Sequence, residues 1–232
     1  MGRTLSLLLA AAAIPFGTAA VPAAQAEAAK DWTKVVAKTA EGGFRVGNPD
    51  AAMKLVEYGS LTCDHCAHFA EEAMPELLGQ YVKSGRVSFE FRNFVRDPAD
   101  LTASLLSRCA GPDDFFALTH QYFESQPQWF GQLQAMSEAE KEAINALPPT
   151  ERLARFASMV GLDATAAEAG VSDAEAKQCL ASQGSIGQLV EMGKTAVEKH
   201  QIKGTPSFMI NGKTLENVHT WAALEPHLTT GG

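Results

Sequence analysis

Met53-Lys54-Leu55-Val56-Glu57-Tyr58-Gly59, followed after three residues by Cys63-Asp64-His65-Cys66, sets the architecture of the chain. The first seven residues are largely apolar or β-prone and end at a glycine, the pattern of a short strand. After Cys66, Phe69, Ala73, Leu77 and Tyr81 recur four apart, with Met74, Leu78 and Val82 beside them. That spacing predicts one face of a helix, stopped at Gly85 and kinked at Pro75. Val87-Ser88-Phe89-Glu90-Phe91 then alternates as a second strand. The Cys-x-x-Cys therefore lies at the turn from a strand into the first turn of a helix. Unpaired N–H groups and the helix dipole favour an anion there. Cys63, the first and more exposed cysteine, is expected to carry that charge as a thiolate nucleophile. Cys66, one turn in, is expected to be more buried and less reactive.

Two other readings of the pair need weighing. A structural zinc site would use Cys63, Cys66 and either His65 or His68, but no second Cys-x-x-Cys or His-x-x-x-His supplies the fourth ligand at finger spacing. A purely structural Cys63–Cys66 disulfide closes almost no loop and would stabilise little. Redox chemistry, with no metal, explains the pair better.

The chain has 232 residues, 46% hydrophobic and 20% charged, ordinary for a globular protein and inconsistent with a disordered or disulfide-dense one. Its net charge is −8 and no long basic run occurs, so nucleic acid is not an expected partner. Met1-Gly2-Arg3, an apolar run from Leu5 to Ile14 broken by Ser6, and Ala24-Gln25-Ala26 have the three parts of a secretory signal. Pro15 and Gly17 end that run short of the roughly 20 apolar residues a membrane span needs. Residues 1–26 are thus expected to be a cleaved signal peptide and 27–41 a mobile N-terminal segment. The compartment is then one where disulfides persist.

Far downstream, Gly204-Thr205-Pro206-Ser207-Phe208-Met209-Ile210 places a proline at the head of a predicted strand, suggesting a rigid turn. Asn211-Gly212 then predicts a hairpin, with Thr214 and Leu215 in the partner strand. The stretch between about 98 and 184 shows helical patches, such as Phe115-Phe116, Leu118-Thr119 and Tyr122-Phe123, punctuated by Gly111-Pro112, Pro148-Pro149 and Gly161. Ile186, Leu189, Val190, Gly193 and Val197 are expected to line a helix returning to the core. Asp97-Pro98 reads as a helix boundary, and Glu138, Glu140 and Glu142 as a solvated face.

Leu61-Thr62-Cys63-Asp64-His65-Cys66-Ala67-His68-Phe69 together with Gly204-Thr205-Pro206-Ser207-Phe208 resembles the DsbA-type thiol:disulfide oxidoreductases of the thioredoxin superfamily. The resemblance covers nearly all of the chain after residue 26. It implies an α/β fold: a thioredoxin fold in two parts, 42–97 and 185–232, around an all-helical insertion at 98–184. It implies that Pro206 is cis and packs beside the two sulfurs, and that the Thr205 backbone pairs with a substrate segment. His65 matches the family motif and would favour the Cys63 thiolate. Glu57 stands where the family has a buried acid that moves protons to and from the second cysteine. In an oxidising compartment Cys109 and Cys179 would form a structural disulfide, as in some members; two buried free thiols are the alternative. Asp64, grouped with Thr205 on the substrate side, replaces the usual proline. A carboxylate beside the thiolate would raise its pKa and weaken the oxidant.

The resulting expectation is a monomeric periplasmic oxidase that needs no cofactor. It would act on reduced exported proteins and be recharged by a membrane quinone-linked partner. A reductase or isomerase of the same fold is the nearest rival, although isomerases of this fold usually carry a separate dimerisation domain. A chaperone or zinc-holding protein is the more distant one.

Overall fold

The computed structural model describes residues 1–2 and 30–229. The expected signal segment, from residue 3 on, lies outside them. Six strands, β1 (Val36–Lys38), β2 (Phe44–Gly47), β3 (Met53–Gly59), β4 (Val87–Asn93), β5 (Ser207–Ile210) and β6 (Lys213–Thr214), form one mixed sheet. Its order is β1-β2-β4-β3-β5-β6. Only β3 and β4 run parallel, joined through α1 (Asp64–Glu76), and Glu57 falls opposite Phe91 on one side and Phe208 on the other. Covered strands on both sides of β3 are what bury a glutamate in its middle.

Pro75 does not end the helix. The chain continues from α1 through a π-helical turn, Leu77–Val82. The stop is Gly85, at φ +81°, where an added Cβ would meet the Trp32 indole. The hairpin at Asn211-Gly212 has φ +50° and +80°, the two positive values a type I′ turn requires.

Residues 27–41, expected to be mobile, are structured where they are described. Trp32–Lys34 forms a 3₁₀ turn and β1 pairs antiparallel with β2. The physical reason is a buried polar network that the sequence pattern hid. Arg92 donates from Nε and Nη2 to both oxygens of Glu90, and from Nη1 to the Tyr58 hydroxyl. The Thr39 hydroxyl donates to Glu90 Oε1 at 2.7 Å and so ties the N-terminal hairpin to the sheet.

From Pro98 to Ala181 the described residues contain helices and no strand: α2 (Pro98–Cys109), α3 (Gly111–Glu124), α4 (Gln126–Ala135), α5 (Glu138–Ala146), α6 (Pro149–Val160), α7 (Leu162–Glu168) and α8 (Asp173–Ala181). Two more, α9 (Gln183–His200) and α10 (Trp221–Thr229), return to the sheet. Glu140, expected only to face solvent, closes a capping box with Ser137 at the start of α5. On α9 the buried stripe is Leu189, Met192 and Ala196, while Val190 and Val197 are exposed, so the predicted face is rotated from the real one. Phe44 of β2 stacks on Phe115 of α3 at 3.9 Å, and Phe91 meets Phe123 edge-on, so sheet and insertion share one core. A disulfide joins Cys109, at the end of α2, to Cys179 in α8, with Cα atoms 6.0 Å apart.

Candidate functional site

Cys63 is the N-cap of α1, in extended conformation at φ −95° and ψ 117°. Its sulfur therefore lies where the first helical amides are unpaired. Cys63 and Cys66 are not bridged; the site is in its dithiol form. The Cys63 thiol is lowered to about 5, foremost because the Cys66 thiol donates a hydrogen bond to it. Burial opposes the shift, and the Cys66 backbone N–H and the Arg96 charge add to it. Burial pushes the Cys66 thiol well up, helped by the same hydrogen bond and by the charge of Glu57. Two cysteines three positions apart thus have opposite acidities.

Cys63 is, as expected, the more accessible of the two cysteines, but the margin is small: 1% of it is exposed against 0% of Cys66. The loop before β5 covers Cys63, and the Thr205 carbonyl lies 3.3 Å from its sulfur. The Thr205–Pro206 peptide is cis. The Pro206 carbonyl sits 2.8 Å from Nδ1 of His219, and the Ser207 hydroxyl donates to the Gly204 carbonyl at 2.8 Å. The structure thus brings Cys63, Cys66, Thr205 and Pro206 together across 142 positions of sequence.

His65 and Asp64 are exposed at the start of α1. The Asp64 carboxylate accepts from the His65 backbone N–H at 2.9 Å, an interaction with the helix terminus. Asp64 is not among the leading causes that set the Cys63 thiol, which are the donors, burial and the Arg96 charge. Glu57 is 2% exposed, and burial, together with the charge of Cys63, raises its carboxyl to about 8. It is therefore a neutral acid at neutral pH, behind the cysteine pair.

Sequence reasoning missed the supports of the Ser60–Thr62 turn. Asp100, 1% exposed, accepts from the Ser60 hydroxyl at 2.5 Å and from the Leu61 N–H at 2.9 Å. Asp97 caps α2 by accepting from the Asp100 N–H and also takes the Thr62 hydroxyl at 2.7 Å. Arg96 donates to the Thr62 carbonyl at 3.2 Å. The Gln126 amide, at the head of α4, donates to the carbonyls of Leu61 and Cys63 at 2.9 and 3.2 Å. The helical insertion and its lead-in therefore grip every residue from 60 to 63. The one visible signal was Asp97-Pro98-Ala99-Asp100, legible as a helix start but silent about what else the carboxylates hold. Among the described residues no cluster of three or more His, Cys, Asp or Glu side chains forms a metal site.

The thioredoxin family model matches residues 39–229. A solved structure named as a protein-disulfide isomerase from Novosphingobium aromaticivorans is 35% identical, with a TM-score of 0.74, covering 79% of this chain and 94% of that one. Wolbachia pipientis alpha-DsbA1 shares the fold at 24% identity and a TM-score of 0.57, covering 72% and 73% of the two chains. A Rickettsia bellii protein named for protein-disulfide oxidoreductase activity is 29% identical over 79% of this chain. The chain spans 62% of that relative's length. The family model spans most of the chain and the fold is the one alpha-DsbA1 has, so the chain belongs to the thioredoxin family.

Proposed function

We propose that the protein is a thiol:disulfide oxidase that introduces disulfides into exported proteins outside the cytoplasm. The observation that carries this reading is the inequality of the two thiols: Cys63 low at a helix N-terminus, Cys66 high beneath it. In the oxidised form Cys63 and Cys66 share a disulfide. A substrate thiolate attacks the Cys63 sulfur, the Cys63–Cys66 bond breaks, and Cys66 leaves with the electron pair. The neutral Glu57 carboxyl is the proton source for that high-pKa sulfur. A second substrate thiolate then attacks the substrate sulfur of the mixed disulfide, and Cys63 departs as a stable thiolate. The substrate loses two electrons, which the cysteine pair gains. A quinone-linked membrane partner, implied by the family, takes them on. The exposed face of His65 and the backbone of Thr205 beside Pro206 would meet the substrate segment.

Export rests on the reading of Met1 to Ala26, and no helix among the described residues is long and apolar enough to cross a membrane. The name of the Novosphingobium relative favours a second reading, isomerase. The two separate on paired substrates. An oxidase with its disulfide formed folds a reduced, multi-cysteine substrate and leaves a scrambled one scrambled. Rescue of the scrambled substrate by the dithiol form would overturn the oxidase reading in favour of isomerisation.

A further inference from the structure

A cleft of about 600 Å³ runs between α1, the face of the sheet and α3, with Glu57 in its lining. Its walls are apolar, formed by Met74, Leu78, Phe116 and Phe123. Its lining contains three buried polar atoms that lack any hydrogen-bond partner among the described residues: Glu57 Oε1, Thr119 Oγ1 and Gln121 Oε1. Glu57 and Thr119 are 2% and 5% exposed. A buried polar atom without a partner is unfavourable, so three on one cleft point to an occupant that supplies the missing bonds.

The lining defines that occupant. The Gln121 amide oxygen accepts hydrogen bonds, and both Glu57 oxygens do so once its carboxyl gives up the proton, so a donor head suits them. Glu124 adds a second carboxylate to the lining, where it lies 3.3 Å from the His120 imidazole, and no lysine or arginine lines the cleft. An anionic head is disfavoured, and a cationic donor is complementary. The volume lies within the range of small-molecule sites, which pair apolar walls with a few converging polar groups.

We propose that this cleft binds a small amphipathic amine, its apolar body between α1 and α3 and its ammonium group against Glu57, Thr119 and Gln121. One consequence rests on the oxidase reading. An ammonium held on Glu57 would favour its carboxylate over the neutral acid that serves Cys66, so the occupant would slow turnover. Binding itself does not depend on that reading and is measured separately.

The probe is 4-phenylbutylamine, compared by calorimetry with the neutral 4-phenylbutanol and the anionic 4-phenylbutyrate on the full-length oxidised protein. The amine is expected to bind one to one, more tightly than the alcohol by about tenfold, with the carboxylate weakest. Ala117 is exposed and lines the cleft, so Ala117→Trp covers it without disturbing the core, and should weaken amine binding at least tenfold. Thr119→Val should weaken the amine and the alcohol alike by severalfold. No saturable binding by any probe would overturn the proposal, with water as the partner of the three atoms. So would amine binding left unchanged by Ala117→Trp, which would place the amine elsewhere. Binding as predicted with turnover unaffected would leave the cleft assigned and count against the proton role of Glu57 alone.

Discussion

The two cysteine pairs of this chain are governed by different physics. Cys63 and Cys66 are three positions apart, unbridged, and unequal in acidity. Cys109 and Cys179 are 70 positions apart and bridged, pinning α2 to α8. A bond across three positions removes little freedom from the unfolded chain, so what decides its chemistry is the environment of each sulfur. A bond across 70 positions acts mainly through the unfolded chain, by up to roughly 4 kcal/mol in the loop-entropy account. One pair is built to change state and the other to hold still.

The contrast breaks most sharply at the nucleophile. Cys63→Ser should cut oxidase turnover by more than about a thousandfold, whereas the Cys109→Ala/Cys179→Ala double variant should keep turnover within about twofold. A comparable loss in the double variant would mean the second pair also exchanges electrons. The same double variant should lose about 2–4 kcal/mol in urea unfolding under non-reducing conditions. An unchanged midpoint would remove the structural role given to that bridge.

The pH dependence of stability separates the pairs further. The Cys63 thiol titrates near 5 in the folded dithiol protein against 9.0 for an unperturbed thiol. The reduced form therefore carries an extra stability that is complete above about pH 9 and is lost as pH falls through about 5. Near pH 7 it amounts to roughly 2–3 kcal/mol, or about 40–60 mV. Glu57 acts oppositely: its raised pKa makes both redox forms less stable as pH rises from about 4.5 to 8. The gap in Tm between reduced and oxidised protein should therefore widen from about pH 4 to 7; a constant gap would contradict the low thiol.

Supports of the catalytic turn come next. Gln126→Ala leaves the carbonyls of Leu61 and Cys63 without their side-chain donor, at a cost of about 1–3 kcal/mol in unfolding. It should also raise the Cys63 thiol, whereas a merely structural role would leave that thiol unmoved. Arg96→Gln has the smallest effect. Because Arg96 is exposed, the Cys63 thiol should rise by only a few tenths of a pH unit, and less in high salt.

Much of this was legible in the sequence because it is local. The strand at 53–59, the helix after Cys66 and the hairpin at Asn211-Gly212 each follow from spacing and turn chemistry within a dozen residues. The link between Cys63 and Pro206 was legible only through family resemblance, since nothing in either segment names the other. Long-range side-chain bonds were silent. Thr39 to Glu90 decides whether the N-terminal hairpin is structured, and Gln126 to Leu61 and Cys63 ties the insertion to the active turn. The rotated face of α9 shows a different limit: Gly193 and two valines fit an apolar stripe as well as Met192 and Ala196 do, and only packing chooses between them.

The central claim is that Cys63 is a stabilised thiolate in an oxidising pair. The direct measurement is an equilibrium titration of the Cys63–Cys66 couple against glutathione, with the Cys63 pKa read from thiolate absorbance in the same protein. A pKa near 5 and a potential well above the glutathione poise are the predicted result. A pKa above about 8 with a potential near thioredoxin's, about −270 mV, would contradict it and identify a protein that donates electrons.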